Sequence, residues 1–379
     1  MDRHTVSLCM IVRDAERPLA AALDSARPLA DEMIVVDTGS VDGTRQVAAS
    51  RGARVCEFAW CDDFSAARNY SLAQATGDWI FWIDADDVVP PESAAELRRA
   101  IDGCPNRDAA FWATIEEASG AAGSAAARVM GHAHVKLFPR DERFRFRYRI
   151  HEQIAPALRA AGLPIRRTSA VIRHSNADRS PSAQQSRFER NLRLSLLDLQ
   201  EHPDDPFVLL SLGTTYLFLP DSLPAAIDVL RRSIAGCKPG SEIQLNAYLY
   251  LGQALGTSGL RCEEEDLYRE ALALFPNDVP LLLRLGTLLE RRGKLREAGQ
   301  CYAAVLKRGR TRPSAMHVRG GEEQAALRLG ALQIRTGHRD RAEKLWRNFL
   351  QRHPAATAVQ QALAQSYLDP CSIIVGPQP

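Results

Sequence analysis

Asp84, Asp86 and Asp87 crowd three carboxylates into one strand end, directly after the apolar run Trp79-Ile80-Phe81-Trp82-Ile83. Carboxylates this close repel one another, and a divalent cation relieves the repulsion. All-oxygen ligands that leave room for phosphate favour Mg²⁺ or Mn²⁺. A solvated acidic turn is the competing reading of so short a motif. A second segment, Phe144-Arg145-Phe146-Arg147-Tyr148-Arg149-Ile150-His151-Glu152, alternates aromatics and arginines with a period of two. That period predicts a strand with its aromatic face buried and its cationic face open to an anion, or else to solvent and nearby acids.

These groups need elements to hold them. Val6 to Val12 reads as a buried strand, and Glu16 to Ser25 as the helix after it. Met33 to Val36 forms a second strand that stops at the turn-rich Asp37-Thr38-Gly39-Ser40-Val41-Asp42-Gly43-Thr44, from which a helix runs to about Ser50. Val55 to Phe58 can make a third strand, and Trp79 to Ile83 has the β-branched and aromatic content of one buried on both faces. Strands alternating with helices at this spacing predict a right-handed parallel sheet whose ligand crevice lies at the carboxyl ends of the strands. Asp37 and Asp84 are then expected on one rim.

Three motifs in register resemble the successive signatures of family 2 glycosyltransferases with the GT-A fold. They are Val36-Asp37-Thr38-Gly39-Ser40 with Asp42-Gly43-Thr44, then Ala67-Arg68-Asn69-Tyr70-Ser71-Leu72, then Trp82-Ile83-Asp84-Ala85-Asp86-Asp87. The resemblance covers roughly the first half of the chain. It implies a Rossmann-like, mostly parallel nucleotide-sugar-binding domain and an inverting transfer from a nucleotide-diphosphate sugar. By position it places Asp37 at the nucleotide base, where a carboxylate can accept from a ring N–H. Arg68 and Asn69 fall at the donor diphosphate, and Asp84 and Asp86 on the metal motif: Asp86 coordinates Mn²⁺ or Mg²⁺, and Asp84 contacts the ribose or a bridging water and is a further metal ligand. Asp87 is a supporting carboxylate. Arg147 or Arg149 is expected to turn toward the diphosphate. His151-Glu152 matches the His-Glu of related enzymes that continue into helical repeats, which implies His151 as a third metal ligand and Glu152 as a base or acceptor contact. Asp108 and Glu116 are alternative bases. The Ala/Gly/Ser-rich stretch from Glu117 to Ala127 reads as a loop, either a lid over the donor or plain disorder.

After Ser175 the pattern changes. Residues 1–175 are assigned to the GT-A domain, 176–187 to a polar linker, 188–368 to a helical repeat domain and 369–379 to a disordered tail. Leu212-Gly213-Thr214-Thr215, Leu251-Gly252-Gln253-Ala254, Leu285-Gly286-Thr287-Leu288 and Leu329-Gly330-Ala331-Leu332 share one shape. Their spacing is close to the tetratricopeptide period of about 34 residues. Each is followed by a helix that pairs a small residue with a larger one: Ala226 and Leu230, Tyr268 and Ala271, Ala298 and Tyr302, Ala342 and Trp346. The glycines let partner helices approach while the larger side chains fill the gaps, so about four units should stack as an all-α, TPR-like solenoid. Its concave face suits a peptide or protein; buttressing of the catalytic domain or a homodimer contact is the alternative.

The chain has 379 residues, with 48 basic and 46 acidic side chains and a formal net charge of +2. That length suits two domains, and the charge gives no global attraction to nucleic acid. No apolar stretch approaches the roughly 18 residues of a membrane span, and the N-terminus leads straight into a strand, so a cytoplasmic protein is expected. Eight scattered cysteines share no metal-ligand spacing and are expected as buried free thiols. The leading function is a metal-dependent glycosyltransferase acting on a peptide, protein or cell-envelope glycan, with a UDP-sugar as the default donor on family frequency. Related chains of this architecture include enzymes that glycosylate peptide cysteines. The rivals are a repeat scaffold carrying an inactive or nucleotide-sugar-sensing GT-A domain, and a nucleotidyltransferase.

Overall fold

The computed structural model describes residues 3–119, 128–175, 180–307, 316–317 and 320–368. The chain divides into two compact units, Met1–Thr215 and Tyr216–Pro379. The division falls beyond the stretch read as a linker at 176–187; the long helix Pro181–Glu201, which begins inside that stretch, packs with the first unit.

In the first unit the elements are β1 (Val6–Val12), α1 (Glu16–Ala26), β2 (Glu32–Asp37), α2 (Thr44–Ser50), β3 (Arg54–Glu57), α3 (Phe64–Gln74), β4 (Trp79–Trp82), β5 (Asp87–Val88), α4 (Pro91–Asp102), β6 (Ala110–Ser119), β7 (Arg128–Pro139), α5 (Ala155–Ala160), β8 (Ile165–His174), α6 (Pro181–Glu201) and α7 (Pro206–Tyr216). The sheet order is β3-β2-β1-β4-β7-β6-β8-β5. Strands β3, β2, β1 and β4 are parallel, with Val12 opposite Asp37, Asp37 opposite Glu57 and Cys9 opposite Trp82. Their carboxyl ends therefore share one rim. Strand β7 then runs antiparallel to both β4 and β6, so the second half of the sheet is mixed.

Alternation along the buried strands sorts side chains onto two faces. Leu8, Met10, Trp79 and Phe81 pack with Leu19 and Leu23 of α1 and Leu97 and Ile101 of α4. Ile34, Val36, Ile80 and Trp82 pack on the other face with Leu72 of α3 and with Phe138, Phe144 and Phe146. Helix α3 begins at Asp63, whose carboxylate accepts the Ala66 N–H at 2.9 Å, and this cap fixes where its polar residues emerge.

Two expectations need correction here. Residues 144–152 do not form a strand. Phe144 and Phe146 are buried as the alternation requires, yet the backbone makes only an isolated bridge between Arg147 and Gln153. Tyr148 and His151 adopt φ of 74° and 55°, a left-handed conformation that no strand accommodates. Of the stretch read as a loop from Glu117 to Ala127, Glu117 to Ser119 belong to strand β6, with Ser119 paired with Arg128, and residues 120–127 lie outside the described residues. The tail at 369–379 lies outside them too.

The second unit contains α8 (Leu223–Gly236), α9 (Glu242–Thr257), α10 (Arg261–Leu274), α11 (Val279–Arg291), α12 (Leu295–Leu306), α13 (Gly321–Arg335), α14 (Arg339–Arg352) and α15 (Thr357–Leu368). The repeat motif has a direct steric basis. A Cβ placed on Gly252 would lie 2.4 Å from the Tyr268 ring, one on Gly286 2.6 Å from Tyr302, and one on Gly330 2.3 Å from Trp346. Each glycine is thus the seat of a fully buried aromatic from the next helix. Among the described residues no helix is long and apolar enough to cross a membrane. The described cysteines are free thiols as expected, but only Cys9 and Cys104 are buried; Cys61 and Cys262 are exposed.

Candidate active site

The rim carries a chain of charges centred on Arg68. This arginine is 6% exposed and projects from α3 beneath the end of β4. Its Nε donates to Glu152 Oε1 at 2.5 Å and its Nη2 to Asp84 Oδ1 at 2.7 Å, while the guanidinium stacks 4.2 Å from the centre of the Trp82 ring. Burial works against the Arg68 charge, but Glu152 and Asp84 overcome it and push its pKa above the usual arginine range. Loss of water likewise raises the Asp84 carboxyl. Arg68 and Lys136 outweigh that and hold it well below the ordinary carboxylate range.

Asp87 is the second hub. It is 1% exposed; its Oδ1 lies 2.8 Å from His174 Nδ1, and its Oδ2 accepts from Lys136 Nζ at 3.3 Å and from the Asp84 N–H at 3.0 Å. Lys136, equally buried on β7, sits 3.6 Å over the Trp82 ring, so one indole carries two cations. Asp86 Oδ1 is 3.5 Å from His174 Nδ1. The Asp87 hydrogen bond, working against burial and helped by Asp86 and Asp84, raises His174 to about 9. Burial raises Asp86 to about 6, with His174 opposing and Asp84 and Asp87 reinforcing the shift.

Asp84, Asp87 and His174 each offer a ligand atom within 4.8 Å of the others. Carboxylate oxygens with one imidazole suit Mn²⁺, and the oxygens alone suit Mg²⁺, so the donor set fits a divalent ion. His174 and Lys136 are absent from the sequence-based reading. Register brings in the histidine, since β8 runs antiparallel to β5 with His174 opposite Asp87, and nothing local announces that pairing.

The other candidates are placed as follows. Asp37 is buried at the end of β2, where its carboxylate accepts the Ser40 N–H at 3.1 Å and Arg45 Nε at 2.6 Å; burial raises its pKa, but these partners carry it below the usual value. Arg45 also reaches Glu57 at 2.7 Å. Asn69 spends its amide on the protein itself, donating to the Phe146 carbonyl at 3.0 Å and accepting the Phe146 N–H at 2.7 Å. Asn69→Ala is therefore expected to lower stability in urea unfolding by about 1–3 kcal/mol, because both backbone groups lose their partner. An unchanged midpoint would show that the amide does not hold this loop.

Arg147 is exposed. Arg149 turns to Glu201 and to the Asp62 carbonyl at 3.2 Å, rather than to the aspartates at the end of β4. His151 is exposed and lies outside the Asp84–Asp87–His174 group, so the histidine in that group is His174. Asp108 precedes β6 and pairs with Arg166 at 3.7 Å. Because β6 is parallel to β4, that is the opposite rim. Glu116 lies near the other end of β6, opposite Arg173.

The family model described as Glycosyl transferase family 2 matches residues 7–148. A TPR repeat-containing protein of Synechococcus elongatus is 33% identical over 302 residues, which cover 78% of this chain and 72% of that protein. The chain belongs to the family 2 glycosyltransferases and carries tetratricopeptide repeats. This glycosyltransferase is also 27% identical over 304 residues to the SPbeta prophage-derived glycosyltransferase SunS of Bacillus subtilis, covering 72% of this chain and 68% of SunS. Among solved structures, S. aureus TarS 1–349 in complex with UDP-GlcNAc is 15% identical with a TM-score of 0.40, over 72% of this chain and 91% of that one.

Proposed function

We propose that this glycosyltransferase moves a sugar, with inversion, from a nucleotide-diphosphate donor to a peptide, protein or cell-envelope glycan. UDP is the default nucleotide, and the repeats recruit the acceptor or a partner. The observation that carries the reading is the gathering of Asp84, Asp86, Asp87, Glu152 and His174 around Arg68 and Lys136 at the carboxyl ends of the parallel strands.

Each residue then has a task. Asp37, at the end of β2 on the same rim, accepts from the nucleotide base. Arg68 gives the site a fixed positive charge beside the donor's phosphates, and its double ion pair keeps the guanidinium from swinging away. Asp84, Asp87 and His174, whose ligand atoms converge, would hold Mn²⁺ or Mg²⁺, with Asp86, 3.5 Å from the same imidazole, as a further carboxylate ligand. When bound, such an ion supplies Lewis-acid stabilisation of the charge on the departing diphosphate. Glu152 receives the proton, or a hydrogen bond, from the acceptor. The repeat helices suit an extended acceptor because stacked hairpins present a continuous groove.

Hydrolysis of a panel of nucleotide sugars without acceptor tests the reading, with nucleoside diphosphate release scored in Mn²⁺, in Mg²⁺ and with chelator. One donor should be turned over in a metal-dependent way, and Asp86→Ala should lower that rate at least about tenfold. Release of pyrophosphate would point to nucleotidyl transfer. Neither turnover nor binding of any donor would leave the repeats as the working part of the chain.

A further inference from the structure

Asp198, in the last turn of α6, lies fifty residues beyond the family match yet grips the loop that carries Glu152. It is 4% exposed, and both its oxygens accept the Arg149 N–H, at 3.1 and 3.0 Å; the Ile150 N–H is directed at the same carboxylate. These two amides sit between Tyr148 and His151, whose left-handed backbone is unfavourable for any residue with a β-carbon. Such a pair persists only where the surroundings impose it. The surroundings here are the helices after the sheet. Besides Asp198, Tyr148 Oη donates to Asp205 at 3.1 Å and its ring lies 4.6 Å from that of Phe207, while Arg149 pairs with Glu201. Glu152 follows directly and meets Arg68.

We propose that α6 is a strut of the active site and that Asp198 is a positioning residue: by holding the Arg149 and Ile150 amides it sets the turn that delivers Glu152 to Arg68. The proposal rests on the reading of Glu152 as base or acceptor contact. Asp198→Asn tests it at constant size, because the amide nitrogen cannot accept and one backbone N–H loses its partner.

Three quantities would be measured on full-length protein: amide hydrogen exchange at residues 149–152, UDP binding in Mn²⁺, and kcat for the UDP-sugar that the wild type hydrolyses, with Glu152→Gln alongside. Loss of a charge-assisted hydrogen bond should speed exchange at 149–152 about tenfold and lower kcat about tenfold, leaving UDP affinity within about twofold. A general folding defect would instead weaken UDP binding as well. Unchanged exchange overturns the proposal. So does faster exchange with wild-type kcat where Glu152→Gln is slow. If Glu152→Gln keeps full kcat, the reading of Glu152 fails and the positioning role falls with it. Should Asp198→Asn not fold, Tyr148→Phe removes only the tie to Asp205, and about threefold slower turnover is expected; unchanged turnover there also overturns the proposal.

Discussion

Arg68→Met is expected to destabilise the first unit by about 3–5 kcal/mol and to abolish measurable turnover, because it removes the one cation shared by the enclosed Glu152 and the partly exposed Asp84. Glu152 and Arg68 have side chains only 12% and 7% exposed, so water cannot replace the lost guanidinium at Glu152. Trp82 and Phe146 would keep their packing against the methionine, which confines the loss mainly to charge. Two further variants separate charge from geometry. Arg68→Lys keeps the charge but has no fork to span Glu152 and Asp84 at once, so it should fall between wild type and Met. In Arg68→Met with Glu152→Gln, one of the stranded charges is gone, and part of the stability should return. A coupling of about 0.5–3 kcal/mol between the two positions, read from urea unfolding, is the expected signature. Additive costs would mean that Arg68 and Glu152 do not share the pair, and the charge chain at the rim would have to be redrawn.

What sequence reveals about this site depends on how far apart the interacting residues lie. The acidic strand end at Asp84–Asp87 is visible because all of it lies in one short stretch between the end of β4 and the start of β5, and the parallel half of the sheet is visible because β1 to β4 alternate with helices at a steady spacing. The aromatic–arginine alternation at 144–152 correctly buries Phe144 and Phe146. It misleads about the backbone, since a period of two says which side chains go inward but not whether a partner strand exists. Here the partner is the amide of Asn69, a side chain far away in sequence, and the left-handed residues Tyr148 and His151 then send Arg149 to α6. His174 and Lys136 are hidden for a related reason. Each reaches Asp87 through strand pairing, on β8 and β7, and the pairing order of a mixed sheet is set by packing of the whole unit.

The repeat unit permits a sharper test, because its glycines and aromatics act as interlocking pairs. Trp346 is fully buried, donates from Nε1 to the Ala326 carbonyl at 2.9 Å and packs with Ala326, Ala342, Phe349 and Val359. Trp346→Ala should therefore cost about 3–5 kcal/mol, combining lost burial with a cavity. Gly330→Ala should cost about 1–3 kcal/mol for the opposite reason: its new methyl would lie 2.3 Å from the indole, and a rigid ring cannot yield as a flexible side chain would. With the indole absent, that methyl meets no ring and occupies part of the cavity. The double variant should then be more stable than the sum of the single costs predicts, by about 1 kcal/mol or more. Equilibrium unfolding of the four proteins, followed by a probe in the second unit, gives the cycle directly. Gly252 with Tyr268 and Gly286 with Tyr302 present the same geometry, with closest approaches of 2.4 and 2.6 Å, so their cycles should share its sign. Strict additivity at all three would mean that helix spacing in the repeats is set elsewhere and that the glycines are passengers. Agreement at all three would identify the glycine–aromatic contact as the rule that fixes how closely successive helices approach, and so the spacing of any groove they present to an acceptor.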